Sequence, residues 1–195
     1  MLADLGYNHK DYGLALDMYG RLIEGTNNPN TKLHAQVHRL RAAWALGYHE
    51  LIVKETPAAL ANSKLLPETA TELRYYRAKA NLAQKKNEAA IEDLRVLAKD
   101  TRNIYGAEAK YQLAQLYYNI RQYDNAEKEV LDYISVSTPH SYWLARSFIL
   151  LSDVYMKSEK YIEAKQYLIS LKQSYKANDD IATMIEERLK KLENM

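Results

Sequence analysis

The sequence predicts an all-α fold, a stack of antiparallel helix pairs. Three observations carry that prediction. First, residues 106–139, GAEAKYQLAQLYYNIRQYDNAEKEVLDYISVSTP, read as two short amphipathic helices and a tight connection. Ala109, Leu113, Leu116, Tyr117 and Ile120 fall on one helical face, as do Tyr123, Ala126, Val130 and Ile134. Second, a pair of small residues twelve apart recurs: Ala114/Ala126 is echoed by Ala3/Ala15, Ala78/Ala90 and Ser152/Ala164. From Ala78 to Ala114 is 36 positions and from Ala114 to Ser152 is 38. Third, the chain of 195 residues holds only six Gly and four Pro, too few for a turn-rich β protein. A lone pair of such helices cannot bury its apolar stripes, so pairs must stack on neighbours.

In chain order, residues 1–24 form a partial unit. Tyr12, Ala15, Tyr19 and Leu22 match a second helix, and about half of a first helix precedes them. That partial start predicts further repeats before residue 1, in a longer parent protein. GTNNPN at 25–30 is the clearest loop. The next unit covers about 31–62. Thr31 is positioned to cap a helix over 32–46 that carries Leu33, Val37, Leu40 and Trp44 and ends at Gly47. Its second helix contains Pro57, which predicts a kink or a restart with Thr56 as cap. The third unit covers about 68–99, with Ala90, Ile91, Leu94 and Leu97 inward on its second helix. The fourth runs 106–137, where Asp124 and Glu127 have capping-box spacing. The fifth runs 142–175. A helix over 179–193 closes the array, with Ile181, Met184, Ile185, Leu189 and Leu192 inward and Glu186, Glu187, Lys190, Lys191 and Glu193 outward. A polar outer face is what a terminal capping helix needs.

Bulk properties narrow the function classes. Net charge is +2, giving no global drive toward nucleic acid or an acidic membrane. There is no cysteine, so thiol chemistry is absent. No apolar run approaches the roughly 18 residues of a membrane span. Tyr outnumbers Phe by 17 to one, which suits half-buried positions where a ring packs and a hydroxyl meets water.

The units resemble tetratricopeptide repeats (TPRs). That pattern sets a large residue, a Leu, a small residue, an aromatic, a Tyr near the second helix, an Ala and a closing Pro. Lys110, Leu113, Ala114, Tyr117, Tyr123, Ala126 and Pro139 follow it, with Lys110 in place of the large residue and the Pro one position late. Phe148, Leu151, Ser152, Tyr155, Tyr161 and Ala164 follow it again. The resemblance implies a right-handed superhelix of antiparallel helix pairs whose first helices line a concave groove. The stretches YYRAKANLAQKKNEAAIEDL, AEAKYQLAQLYYNIRQYDNAEKEV and TPHSYWLARSFILLSDVY also resemble the C-terminal portions of large bacterial cell-envelope TPR proteins. That likeness implies a periplasmic or outer-membrane-associated setting.

Carrying the groove positions of the repeat onto this chain gives Tyr75, Tyr76, Lys79, Tyr111, Gln112, Gln115, Tyr118, Asn119, Arg146, Asp153 and Lys157 as partner-binding candidates. Tyr supplies broad contact at low entropy cost, and Gln, Asn and Arg can bond a partner's backbone. The expectation is a non-catalytic scaffold for a protein or peptide, without a cofactor. One alternative is a small-ligand or glycan module that stacks sugars on Tyr75, Tyr111 and Tyr118; another is a spacer in a longer array. The Lys-x-x-x-Asn pairs Lys99/Asn103 and Lys190/Asn194 lie off the first helices, so no clamp for a carboxyl-terminal tail is expected. His34 and His38 have metal-compatible spacing but no third ligand. Arg39, Arg41, Arg74 and Arg77 would form a basic strip if neighbouring first helices aligned them, diluted by Glu72 and Glu92. Nucleophile motifs, phosphate-binding Gly loops and paired catalytic carboxylates are missing from the sequence.

Overall fold

The structure, a computed structural model, describes residues 2–194. Among these are eleven α-helices and no strand: α1 Leu2–Asn8, α2 Tyr12–Gly25, α3 Pro29–Leu46, α4 His49–Leu60, α5 Pro67–Ala83, α6 Asn87–Leu97, α7 Ile104–Asn119, α8 Tyr123–Ser135, α9 Ser141–Lys157, α10 Tyr161–Ser174 and α11 Ile181–Glu193. They gather into two compact units, Met1–Asp93 and Leu94–Met195. In the first, α1 packs on α2, α2 on α3, α3 on α4 and α5, and α4 on α5. In the second, α7 packs on α8 and α9, α8 on α9, α9 on α10, and α11 on both α9 and α10.

One turn joins the two helices of every pair. Lys10, Gly47, Lys85, Arg121 and Glu159 all have φ between 58° and 70°, the left-handed region. They stand 37, 38, 36 and 38 positions apart, the repeat period itself. Each donates its N–H to the carbonyl three residues back, and the next residue bonds the carbonyl five back, as in Arg121 to Tyr118 at 3.0 Å and Gln122 to Tyr117 at 2.8 Å. This closes the carbonyls orphaned at the end of the first helix. The chain then turns straight into the second helix, whose small residue lands five positions after the left-handed one. Ala15, Ala90, Ala126 and Ala164 are all fully buried there, and Ile52 takes the same place in α4. The small residue lets the two helices of a pair approach closely.

Several local expectations are corrected. α3 begins at Pro29, not after Thr31, because Asn28 caps it with hydrogen bonds from Asn30 and Thr31 N–H at 3.0 and 3.1 Å. Pro at the first helical position loses nothing, since that N–H has no partner in a helix anyway. α4 runs unbroken through Pro57, with Thr56 buried inside it and not acting as a cap. The capping box at Asp124 and Glu127 does not form: Gln122 is the cap residue and its side chain bonds no helix N–H, while Glu127 accepts from the Tyr155 hydroxyl at 2.9 Å. α11 starts at Ile181, preceded by an Asp179 side chain that accepts from the Ile181 N–H at 3.0 Å.

Gly106, in the first turn of α7, is required by close approach. A Cβ there would lie 1.9 Å from the Asp100 carbonyl oxygen and 2.8 Å from that of Leu97. Asn103 clamps the same junction, accepting from Gly106 N–H at 2.8 Å and donating to Asp100 O at 2.9 Å.

Candidate functional site

The first-helix side of each unit carries the candidate residues. In the first unit, Tyr75, Tyr76 and Lys79 sit on α5. Tyr76 is only 8% exposed, its ring stacked on Trp44 of α3 with centroids 4.6 Å apart and planes 9° from parallel. Its hydroxyl donates to Glu72 at 2.7 Å. Tyr75 is half-buried, edge-on to Trp44 at 5.9 Å, and the Lys79 ammonium lies 5.9 Å from the Tyr75 ring centre. Of the three, Tyr75 and Lys79 reach the surface.

The four arginines of the same unit do not make a basic strip. Arg39 forks onto Glu55 through Nε and Nη2 at 2.9 and 3.2 Å. Arg41 forks onto Glu72 at 3.0 and 2.7 Å. Arg74 and Arg77 share Asp93, at 3.3 Å and at 2.7 and 2.8 Å. The acids bonded to them are Glu55, Glu72 and Asp93, and Glu92, also expected from sequence, adds a weaker attraction at Arg77. Glu72 is held below the usual carboxylate range: burial alone would raise it, but the bonds from Arg41 and Tyr76 outweigh that.

His34 and His38 lie on α3 with ring centres 4.3 Å apart, packed against Tyr19 and, for His38, Tyr7. Asp4 approaches His34 Nε2 at 3.8 Å. Among the described residues no group of three or more His, Cys, Asp or Glu is arranged to hold a metal.

In the second unit, Tyr111, Gln115 and Asn119 form a ladder along α7. The Tyr111 hydroxyl donates to Gln115 Oε1 at 2.9 Å, and Gln115 Nε2 donates to Asn119 Oδ1 at 3.2 Å. Tyr111 is 5% exposed, tilted against Trp143 of α9 at 5.5 Å and covered by the Arg146 guanidinium 5.1 Å from its ring centre. Gln112 and Gln115 are half-buried and Asn119 is exposed. Tyr118 packs on Tyr123 at 5.5 Å, and burial pushes its phenol above the ordinary value, with Asp153 and Tyr123 adding to the effect.

Arg146 and Asp153 on α9 are engaged from the C-terminal side. Arg146 donates to the hydroxyls of Tyr111 and Tyr142, at 2.9 and 3.2 Å, and lies 3.4 Å from Asp180. Asp153 accepts a fork from Arg188 of α11 at 2.9 and 2.7 Å. These two residues therefore fasten the last helix while flanking the ladder. Lys157, in the last turn of α9, is exposed.

Solved structures share this helix-pair arrangement. MamA matches over 100% of this chain and 98% of its own, with a TM-score of 0.68 at 18% identity. The C-terminal part of a TPR repeat-containing protein from Cytophaga hutchinsonii matches over 98% of this chain and 78% of its own, at 0.68 and 15%. A putative kinesin light chain with TPR-like repeats from Podospora anserina matches over 88% of this chain and 90% of its own, at 0.60 and 18%. The fold is that of a TPR solenoid. No protein-family model matches the sequence, and no curated protein matches it.

Within this TPR fold, Lys110 explains the departure from the repeat pattern noted above. In place of a large apolar residue it sends its ammonium across to Glu129 of α8, so an ion pair stands where a ring would pack. The sequence reading missed Trp44, Arg188 and Lys64 as contributors to the first-helix faces, whereas Glu72, read as diluting the arginine strip, does pair with Arg41. Only Trp44 had a local signal, as a large residue on the apolar stripe of its helix. Arg188 and Lys64 take their places through contacts 35 and 34 positions away in the chain.

Proposed function

We propose that this chain is a non-catalytic scaffold that holds a protein or peptide segment along the first-helix faces of its TPR pairs. The observation that carries the reading is the Tyr111–Gln115–Asn119 ladder. Each side chain is fixed by its neighbour at i+4, so the amides stand in a set order before a partner arrives. Every amide has two donor hydrogens and two acceptor lone pairs, so the two internal bonds of Gln115 and the one of Asn119 leave capacity to meet a peptide backbone. Fixing these side chains in advance lowers the ordering cost of binding. Arg146 and Asp153, tied to the region of α11, keep the neighbouring helix in register. The shared fold with TPR proteins supports the same reading. A sugar-stacking reading is less well supported, because the Tyr111 ring it needs at the surface is covered. We extend the proposal to a bacterial envelope setting, supported by the sequence texture; recovery of the tagged chain wholly in the cytosolic fraction of its host would withdraw that part.

The test is site-specific photo-cross-linking in a lysate of the source organism. Benzoylphenylalanine replaces Asn119 on the ladder or, as control, Ile162, an exposed residue of the second helix α10. Adducts from position 119 and not from 162 are expected. Equal adducts from both, or adducts from 162 alone, would sink the assignment of the face.

A further inference from the structure

The first unit contains a pocket that the ladder reading does not use. It lies between α3 and the segment joining α4 to α5, with a volume of about 330 Å³. Two kinds of group line it. Leu33, Val37, Leu65 and Leu66 give an apolar wall, and Leu66 stands 65% exposed at its rim. His34, His38, Arg41 and Lys64 bring nitrogen donors from α3 and the loop, while among the described residues no Asp or Glu lines the pocket.

The donors differ in what they have left to give. Arg41 is largely neutralised by its fork onto Glu72, which fixes its plane. Lys64 donates to the neutral Asn30 Oδ1 at 3.1 Å, so its charge is not cancelled by that contact. Among the described residues, the buried His38 Nδ1 has no hydrogen-bond partner, and it is closed to solvent, so a ligand meets the His38 ring at its other edge.

We propose that this pocket receives an acidic side chain of an extended peptide whose neighbouring residue is apolar, the carboxylate meeting Lys64 and the two imidazoles and the apolar residue meeting Leu66 and Leu65. The inference rests on the scaffold reading above and names the chemistry of a partner segment in the first unit. Charge complementarity decides the sign of the ligand: Asp4 lies 3.8 Å from His34 and Glu72 offsets Arg41, so it is Lys64, bonded to a neutral amide, whose charge attracts a carboxylate and repels a cationic segment. Protonation follows the same logic. His38 faces His34 and Arg41 on its own helix, Asp4 and Tyr7 of α1, Tyr19 of α2 and Glu72 of α5. Without ligand, burial first, then the charges of His34 and Arg41, hold its pKa below the ordinary value. A bound carboxylate favours the imidazolium, so affinity rises as pH falls from 7.5 to 6.

The experiment uses the full chain and fluorescence anisotropy. The probe is a labelled, acetylated and amidated peptide in which leucines alternate with glutamates; a second peptide carries glutamines in place of the glutamates. Saturable binding of the acidic peptide, at least tenfold weaker binding of the glutamine peptide, and a loss of tenfold or more in Lys64→Glu and in His34→Glu are expected. Both substituted residues are exposed, so the circular dichroism spectrum should be unchanged. Equal binding of the two peptides, undiminished binding by both variants, or no binding of the acidic peptide would overturn the proposal. In each of those cases adducts from position 119 would leave the scaffold reading standing, so the two failures are distinguishable.

Discussion

The two units solve the same crossing between helices with different chemistry. One register position of the first helix is Arg39, Arg77, Leu113 and Leu151, spaced 38, 36 and 38 apart. In the first unit the arginines cross to an acid sixteen residues on, Glu55 or Asp93. In the second unit the leucines are buried. The neighbouring contact there is Lys110 with Glu129, then Phe148 with Tyr167, ring centres 6.0 Å apart. Apolar crossings gain area removed from water and place few demands on angle. Ion-paired crossings repay a desolvation cost only through good geometry, so they fix angle and register more than they add stability. A single architecture thus tolerates both, provided the pair is complete.

Breaking completeness should give the largest effect. Asp93 is 1% exposed and faces two arginines. Asp93→Ala is expected to cost about 2–3 kcal/mol, because the half-buried guanidinium groups of Arg74 and Arg77 lose the acid they share. Arg74→Phe, Arg77→Leu and Asp93→Tyr together should recover most of that loss, because they place the Phe148, Leu151 and Tyr167 set of the second unit at the same register. Urea unfolding followed by circular dichroism measures both; a loss under about 1 kcal/mol for the alanine variant would erase the contrast between the units. Phe148→Ala probes the other side of it. Phe148 is half-buried, so a loss of about 2 kcal/mol is expected, below the range for a fully buried ring.

The contrast also explains what could be read in the sequence. The second unit was legible because Leu113, Leu151 and the Ala126 and Ala164 partners keep the apolar period. In the first unit Arg39 and Arg77 occupy the apolar register and Ile52 replaces the small residue, so the stripe is interrupted and the arginines read as a surface strip. Helix existence survived this, since one polar residue per stripe does not remove the 3.6 period. Helix ends did not, because Asn28 competes with Thr31 as a cap and only the local geometry chooses. The candidate face was legible where it depends on spacing within one helix, as for Tyr111, Gln115 and Asn119. It was illegible where a distant residue decides exposure: Trp44 covers Tyr76, and Arg188 occupies Asp153.

Acid should separate the units next. Glu72 has a folded pKa lowered below its unfolded value, so its contribution is fully present above the unfolded carboxylate range of about 4.3. It is lost as pH falls through the folded pKa, when the Arg41 fork loses its charge. Comparing the parent with Glu72→Gln, a stability gap of about 1–2 kcal/mol is expected at pH 7, narrowing as pH drops below about 4. The gap for Phe148→Ala should stay level over the same range. A Glu72→Gln gap that does not change with pH would mean that the ion pair contributes nothing beyond its hydrogen bonds.

The smallest effect tests what the units share. Lys85 closes a turn in the first unit and Arg121 one in the second, both at positive φ and both exposed. A residue with a Cβ pays roughly 1–2 kcal/mol in this region, and glycine pays instead in the entropy of the unfolded chain. Lys85→Gly and Arg121→Gly should each stabilise by about 0.5–1 kcal/mol, and Gly47→Ala should destabilise by a similar amount. Equal gains at residues 85 and 121 would show that the turn is an independent module, indifferent to whether an ion pair or a leucine lies at the crossing it leads into. A gain in only one unit would mean that the crossing strains the turn, and the two chemistries would then differ in backbone geometry as well as in side chains.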